Sequence, residues 1–169
     1  LGAPAPKQCA AGSVANATGA AECTPCAAGR FQQSKARTTC EGCGLGVYCP
    51  AGSSTALFCP AGFFGNSTGL AAQGECHVSP PGHACAAGTV RPAACAPGSF
   101  APEAGAGTCL RCSAGTYQAS DGSTACDVCP ATSWCAEGSS APTPCGPGSV
   151  GKARGLSSKG GCDACAAGH

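Results

Sequence analysis

Residues 26–59 read CAAGRFQQSKARTTCEGCGLGVYCPAGSSTALFC, and residues 112–145 read CSAGTYQASDGSTACDVCPATSWCAEGSSAPTPC. Each cysteine of the first stretch has a counterpart 86 residues later in the second. The same shift carries Cys9 onto Cys95, Cys23 onto Cys109 and Cys76 onto Cys162. In all, eight cysteine pairs share one offset, with no insertion or deletion between them. Self-similarity at a fixed period marks a tandem array. The reading divides the chain into a lead-in (1–8), a first repeat pair (9–94) and a second, truncated repeat pair (95–169).

Composition shows what such an array lacks. The 169 residues include no Ile and no Met, six Leu, six Val and eight aromatics. A fully buried large apolar side chain contributes about 1.5–3 kcal/mol, so these twenty cannot hold the chain by burial alone. Cysteine fills the gap: eighteen in 169 exceeds the ~8–10% that marks a disulfide scaffold. Such scaffolds persist in oxidising compartments. Six cysteine-bounded loops of thirteen or sixteen residues follow the repeat, and closing a loop of that size restricts the unfolded chain by about 3 kcal/mol in the entropic account.

Charge is sparse. Asp, Glu, Lys and Arg make up 10% of the chain and the net charge is +1, against about 25% charged residues in ordinary soluble domains. Surfaces this bare associate, unless glycans cover them or an assembly buries them. Without a basic stripe or acidic tail, nothing points to nucleic acid. No apolar run approaches the ~20 residues that span a bilayer. No signal peptide is visible, so the chain reads as a mature or partial product.

In order, Leu1–Gln8 is an extended lead-in with prolines at positions 4 and 6. In a plant or green alga those prolines are open to hydroxylation and glycosylation. Six segments then share one grammar: cysteine, two small residues or prolines, a glycine, one residue, and an apolar residue. The glycines are Gly12, Gly29, Gly62, Gly98, Gly115 and Gly148. The apolar residues are Val14, Phe31, Phe64, Phe100, Tyr117 and Val150. The glycine suits a turn with positive φ, and the apolar residue begins a short strand. The frequent Gly and Pro argue against helix. The expected fold class is small and disulfide-rich: an elongated array of short β-ribbons and turns with little helix. After Cys43 the rhythm changes to gaps of five and nine residues, and it does so again after Cys129. Tyr48 and Trp134 hold matching places there, suited to packing on a disulfide or, in the rival reading, to ligand recognition. A third such block, Cys76, Cys85 and Cys95, has Ser79 where a cysteine belongs. The last unit opens at Cys162 and Cys165 and stops before position 171, where its next cysteine would fall; this reads as a fragment of a longer array.

The segments CAAGRF…CEGCGLGVYCPAGS and CSAGTYQASDGSTACDVCPATSWCAEGSS resemble the cysteine-rich repeat of ephrin-type receptor ectodomains. That repeat recurs in large extracellular proteins of animals, protists and algae. The resemblance runs from Cys9 to Ala167 and implies an extracellular, disulfide-stapled module, with no activity attached. The Ala, Gly and Pro bias resembles green-algal surface proteins, including the shaft protein of flagellar hairs (mastigonemes).

Two bridging schemes are open. Sequential bridges would join Cys9–Cys23, Cys26–Cys40, Cys59–Cys76, Cys95–Cys109, Cys112–Cys126 and Cys145–Cys162, with Cys43–Cys49 and Cys129–Cys135 completing them. A pattern like that of tumour-necrosis-factor receptors would instead use Cys43–Cys59 and Cys49–Cys76, with the same shift in the second copy. Both leave Cys85 and Cys165 unpaired or available to a second chain. The rival is zinc, because Cys23, Cys26, Cys40 and Cys43 form C-x2-C-x13-C-x2-C, a four-thiolate spacing. It leaves Cys49, Cys59 and Cys76 idle. The sequons Asn16-Ala17-Thr18 and Asn66-Ser67-Thr68 are acceptors for N-glycans in a secreted chain. His77 and His83 sit in a proline loop without a carboxylate cluster, and His169 is terminal. No nucleophile-elbow motif is present.

The sequence therefore reads as a non-enzymatic extracellular structural module, a rod joining a filament or surface coat, with covalent glycans, no cofactor and no metal. The alternatives are a receptor or adhesion ectodomain binding a protein or glycan ligand, and a zinc-ribbon array.

Overall fold

A computed structural model describes residues 8–15 and 22–165. Among them the regular structure is nine two-stranded antiparallel ribbons and two short 3-10 turns. The fold is small and disulfide-rich, with almost no helix. The two 3-10 turns, Gln73–Glu75 and Lys159–Gly161, are one 86-residue shift apart.

Each ribbon begins in the same way, as the one opened by Cys26 shows. The amide of Arg30 donates to the Ala27 carbonyl at 3.0 Å, closing a turn in which Gly29 has φ +79°. A four-residue turn with positive φ at its third residue favours glycine there. The chain leaves the turn as the strand Arg30–Phe31, which pairs antiparallel with Glu41–Gly42. The Cys43 amide then returns to the Gly29 carbonyl and opens the next ribbon. In several ribbons a Ser or Thr after the glycine adds its hydroxyl to the same first carbonyl. Ser99 Oγ donates to Ala96 O at 2.6 Å and Thr116 Oγ1 to Ser113 O at 2.7 Å.

The structure extends the grammar to three segments where the sequence suggests a change of rhythm. Gly46, Gly82 and Thr132 hold the turn position of ribbons opened by Cys43, Ser79 and Cys129. Their strands lie where those of every other ribbon lie; only the disulfide differs. The ribbon is a backbone hydrogen-bond pattern, so it survives the loss of one cysteine (at Ser79) and of one glycine (at Thr132). Thr132 keeps φ +71°. A left-handed backbone costs an L-residue about 1–2 kcal/mol, while glycine gives back roughly 0.5–1 kcal/mol through unfolded-chain entropy. Thr132→Gly is therefore expected to stabilise the protein by up to about 1 kcal/mol, read as a higher denaturant midpoint at unchanged slope.

The chain divides into two compact units, one of Leu1–Val78 with Cys85–Arg91 and one of Ser79–Ala84 with Pro92–His169. Within each, a ribbon is tied to the next by three backbone bonds. In the first unit Gly29 N–H donates to Cys49 O, Gly52 N–H to Cys26 O and Gln32 N–H to Ser53 O. In the second unit Gly115 N–H donates to Cys135 O, Gly138 N–H to Cys112 O and Gln118 N–H to Ser139 O. These repeat the first set at the 86-residue shift.

A ribbon also meets the next but one, backbone to backbone. A Cβ on Gly12 or Gly29 would strike the carbonyl of Gly52 or Gly69 in the first unit. In the second unit Gly82, Gly98 and Gly115 meet Gly122, Gly138 and Gly155 in the same way. The residues on both sides of these approaches have positive φ; the turn glycine is required for space as well, whereas a Cβ on its partner meets nothing closer than 3.6 Å.

Cysteines supply most of the core. Among the described residues Cys9, Cys26, Cys43, Cys49, Cys59, Cys85, Cys95, Cys112, Cys129 and Cys135 are buried, with only Val14, Leu70 and Ala101 as apolar company besides Cys76. In the first unit Leu70, Cys59 and Cys76 form a cluster against which Tyr48 and Phe63 pack. Tyr48 thus packs against a cluster that contains the Cys59–Cys76 bridge. Trp134, its counterpart, is half-buried and bridges Leu156 through the backbone.

Candidate functional site

The eight bridges of the structure are sequential: Cys9–Cys23, Cys26–Cys40, Cys43–Cys49 and Cys59–Cys76, then Cys95–Cys109, Cys112–Cys126, Cys129–Cys135 and Cys145–Cys162. Their Cα separations of 5.5–6.1 Å fall within the ordinary range for disulfides. The opening cysteine of most ribbons is buried, while its partner before the second strand is half-exposed, as with Cys26 and Cys40. Each longer bridge fastens the start of a ribbon to the base of its returning strand. Cys43–Cys49 and Cys129–Cys135 instead close the first strand onto its own turn. The sulfurs of Cys23, Cys26, Cys40 and Cys43 fall in three different bridges, so the four-thiolate set is not assembled. Among the described residues no group of three or more His, Cys, Asp or Glu is gathered.

Cys85 and Cys165 carry free thiols, the first buried and the second exposed. Ser79 is buried too, and its hydroxyl donates to the His83 carbonyl at 3.1 Å. A serine in a cysteine's place thus keeps a partner for its polar atom, as burial requires.

Asn66 is exposed just before a bend of the Cys59 ribbon, with Ser67 and Thr68 also exposed. Its Oδ1 accepts from Ser67 Oγ at 3.3 Å. Asn16 lies outside the described residues. The two described histidines are separately engaged. His77 pairs with the Phe64 ring, the centroids 5.5 Å apart, and His83 Nδ1 lies 3.1 Å from the Pro81 carbonyl oxygen. His169 lies outside the described residues.

Two surface hollows belong to the second unit. One, of about 310 Å³, is bounded by the loop from Ala101 to Ala106 with Thr108 and Leu110. The other, of about 320 Å³, has Arg111 and Glu137 on its rim around the Gly98 turn. The positions 86 residues earlier are Pro25 and Ala51, so this charged rim is particular to the second copy.

Two residues with a clear structural part carry no signal in the cysteine register. Gln32 is buried; its Nε2 donates to Thr39 O at 2.8 Å and its Oε1 accepts from Ser34 N–H at 2.9 Å. Gln118 repeats both bonds to Ala125 and Ser120. Each glutamine pins the long loop of its ribbon from within. Their one sequence trace is that they are 86 residues apart.

Residues 98–145 match the family model described as tyrosine-protein kinase ephrin type A/B receptor-like. The matched segment starts at the Gly98 turn and ends at the cysteine that opens the ribbon after Trp134. No curated protein matches the chain.

Proposed function

We propose that this ephrin-receptor-like cysteine-rich repeat protein serves outside the cell as a non-catalytic structural module that joins other copies into a filament or surface coat. The observation that carries the reading is the stack itself. Within each unit ribbons are tied to their neighbours by recurring backbone bonds, and among the described residues a bridge holds every ribbon but that of Ser79. Such a stack needs no site-specific side chains to propagate, and repeat arrays gain stability from each neighbour they acquire. Sparse charge favours self-association, and a head-to-tail contact that does not close gives a filament. Exposed Cys165 is a thiol that a second chain can reach. The many disulfides favour an oxidising compartment, where such scaffolds persist. The Ala-, Gly- and Pro-rich composition favours an algal surface coat or flagellar hair as the setting.

A second reading, a receptor or adhesion ectodomain for a protein or glycan, draws on the Arg111–Glu137 rim, which the first copy lacks. Electron microscopy and non-reducing electrophoresis of native material separate the two. Fibres or coats, with Cys165 blocked to alkylation and Cys85 reactive only after denaturation, are the expected result. A soluble monomer that binds a ligand saturably through the second unit, and loses it on Arg111→Ala, would replace the structural reading with the receptor.

A further inference from the structure

We infer that Asn66 carries an N-linked glycan whose first sugar lies against the paired rings of Phe64 and His77, and that this contact steadies the Cys59 ribbon. The inference rests on the extracellular reading above. The acceptor stands in the stretch Phe64-Gly65-Asn66-Ser67-Thr68, two residues beyond an aromatic at the end of a strand. Alternate residues of an extended chain share a face, which returns Asn66 to the side of Phe64. Phe64, half-buried, is paired in register with exposed His77 across the ribbon, and the two rings lie side by side with centroids 5.5 Å apart.

The backbone that presents Asn66 is held at both ends. Gly65 N–H donates to Thr89 O, and Gly65 O accepts from Gly46 N–H. Gly69, at φ +75°, donates to Cys43 O. Between these anchors the Asn66 Nδ2 and the Thr68 hydroxyl have no partner among the described residues, and both residues are exposed. The second copy shows where a side chain from this place reaches. Lys152, one shift after Asn66, is ion-paired at 3.4 Å with Asp163, one shift after His77. A group attached at position 66 therefore has the residue at position 77 within its span. The flat apolar face of a pyranose ring suits an aromatic surface, through the same attraction of C–H edges to a ring face that orders aromatic pairs. Asn16 has Val14 two residues before it and lacks the aromatic.

The donor is a lipid-diphosphate-linked oligosaccharide. The Asn66 Nδ2 forms a bond to the sugar's anomeric carbon as the bond from that carbon to the diphosphate oxygen breaks. The diphosphate leaves with the electron pair, and the amide gives up one proton.

The test uses the full chain secreted from a eukaryotic host, with Asn16→Gln so that one sequon remains. Peptide mapping is expected to find Asn66 occupied. Trimming the glycan to its first sugar should leave the thermal midpoint unchanged, and doing without that sugar altogether, by Asn66→Gln, should lower it by about 2–4 °C. In Phe64→Val the same substitution should cost nothing. His77→Ser, at an exposed position, provides another background if Phe64→Val does not fold. A bare Asn66 in secreted, fully bridged protein overturns the site and leaves the structural module standing. An occupied Asn66 whose removal lowers the midpoint equally in all backgrounds overturns the contact. A chain recovered with reduced cysteines throughout overturns the extracellular reading and the inference with it.

Discussion

Complete reduction of the bridges should unfold both units. The first unit has three bridges spanning 14, 14 and 17 positions, and the second repeats them. A bridge closing a loop of that size contributes about 3 kcal/mol in the entropic account. Three give about 9 kcal/mol per unit, against the 5–15 kcal/mol typical of a whole folded domain. Little else can replace them, because among the described residues the buried apolar company of the cysteines is Val14, Leu70 and Ala101. Reduction also removes the volume-filling bonds of the core and leaves polarisable thiols in their place. The expected outcome is loss of the near-ultraviolet circular dichroism of Tyr48, Tyr117 and Trp134 under native buffer with excess reductant. Loss should be cooperative within a unit, since each ribbon holds its neighbour through backbone bonds that need both to be in place. Retention of that signal after full reduction and alkylation would show that the ribbon ladder stands without its bridges.

Gly98→Ala is expected to be among the most damaging single substitutions, and Gly148→Ala its mild control. Both glycines hold the turn position of a ribbon in the second unit, with φ +83° and +76°. Any L-residue there costs about 1–2 kcal/mol for the left-handed backbone. At Gly148 a Cβ meets nothing within 4 Å, whereas at Gly98 it drives into the Gly138 carbonyl. Backbone cannot rotate away as a side chain can, so the overlap adds about 1–3 kcal/mol and loosens the Gly98 N–H bond to Gln118 O. The two variants should differ in denaturant midpoint by that second contribution. Equal shifts would show that ribbons two apart do not bear on each other, and that the glycines serve their turns alone.

The sequence made the ribbon architecture legible through its cysteines. Eight of them recur at one offset, and the composition leaves no other material for a core. Gly12, Gly29, Gly62, Gly98, Gly115 and Gly148 marked turns, because a cysteine three residues earlier and an apolar residue two later framed each one. The Cys43, Ser79 and Cys129 segments were not legible as the same ribbon. Their cysteine spacing differs, and spacing records where bridges close, whereas the ribbon is set by backbone bonds. The exposed sequon at Asn66 could be read directly; the aromatic surface beside it could not, because Phe64 and His77 are thirteen residues apart and meet only across the ribbon.

The sequence by itself determined the local unit: a turn needing φ above zero, a two-residue strand, and a cysteine to fasten it in place of an apolar core. Tertiary structure alone decided how one ribbon meets another. The glycines at Gly52, Gly69, Gly122, Gly138 and Gly155 look like ordinary loop residues in the sequence. Each lies forty residues beyond the turn glycine whose missing side chain makes room for its carbonyl. That is a contact between backbones, and a backbone contact leaves no pattern of apolar or charged residues to be read.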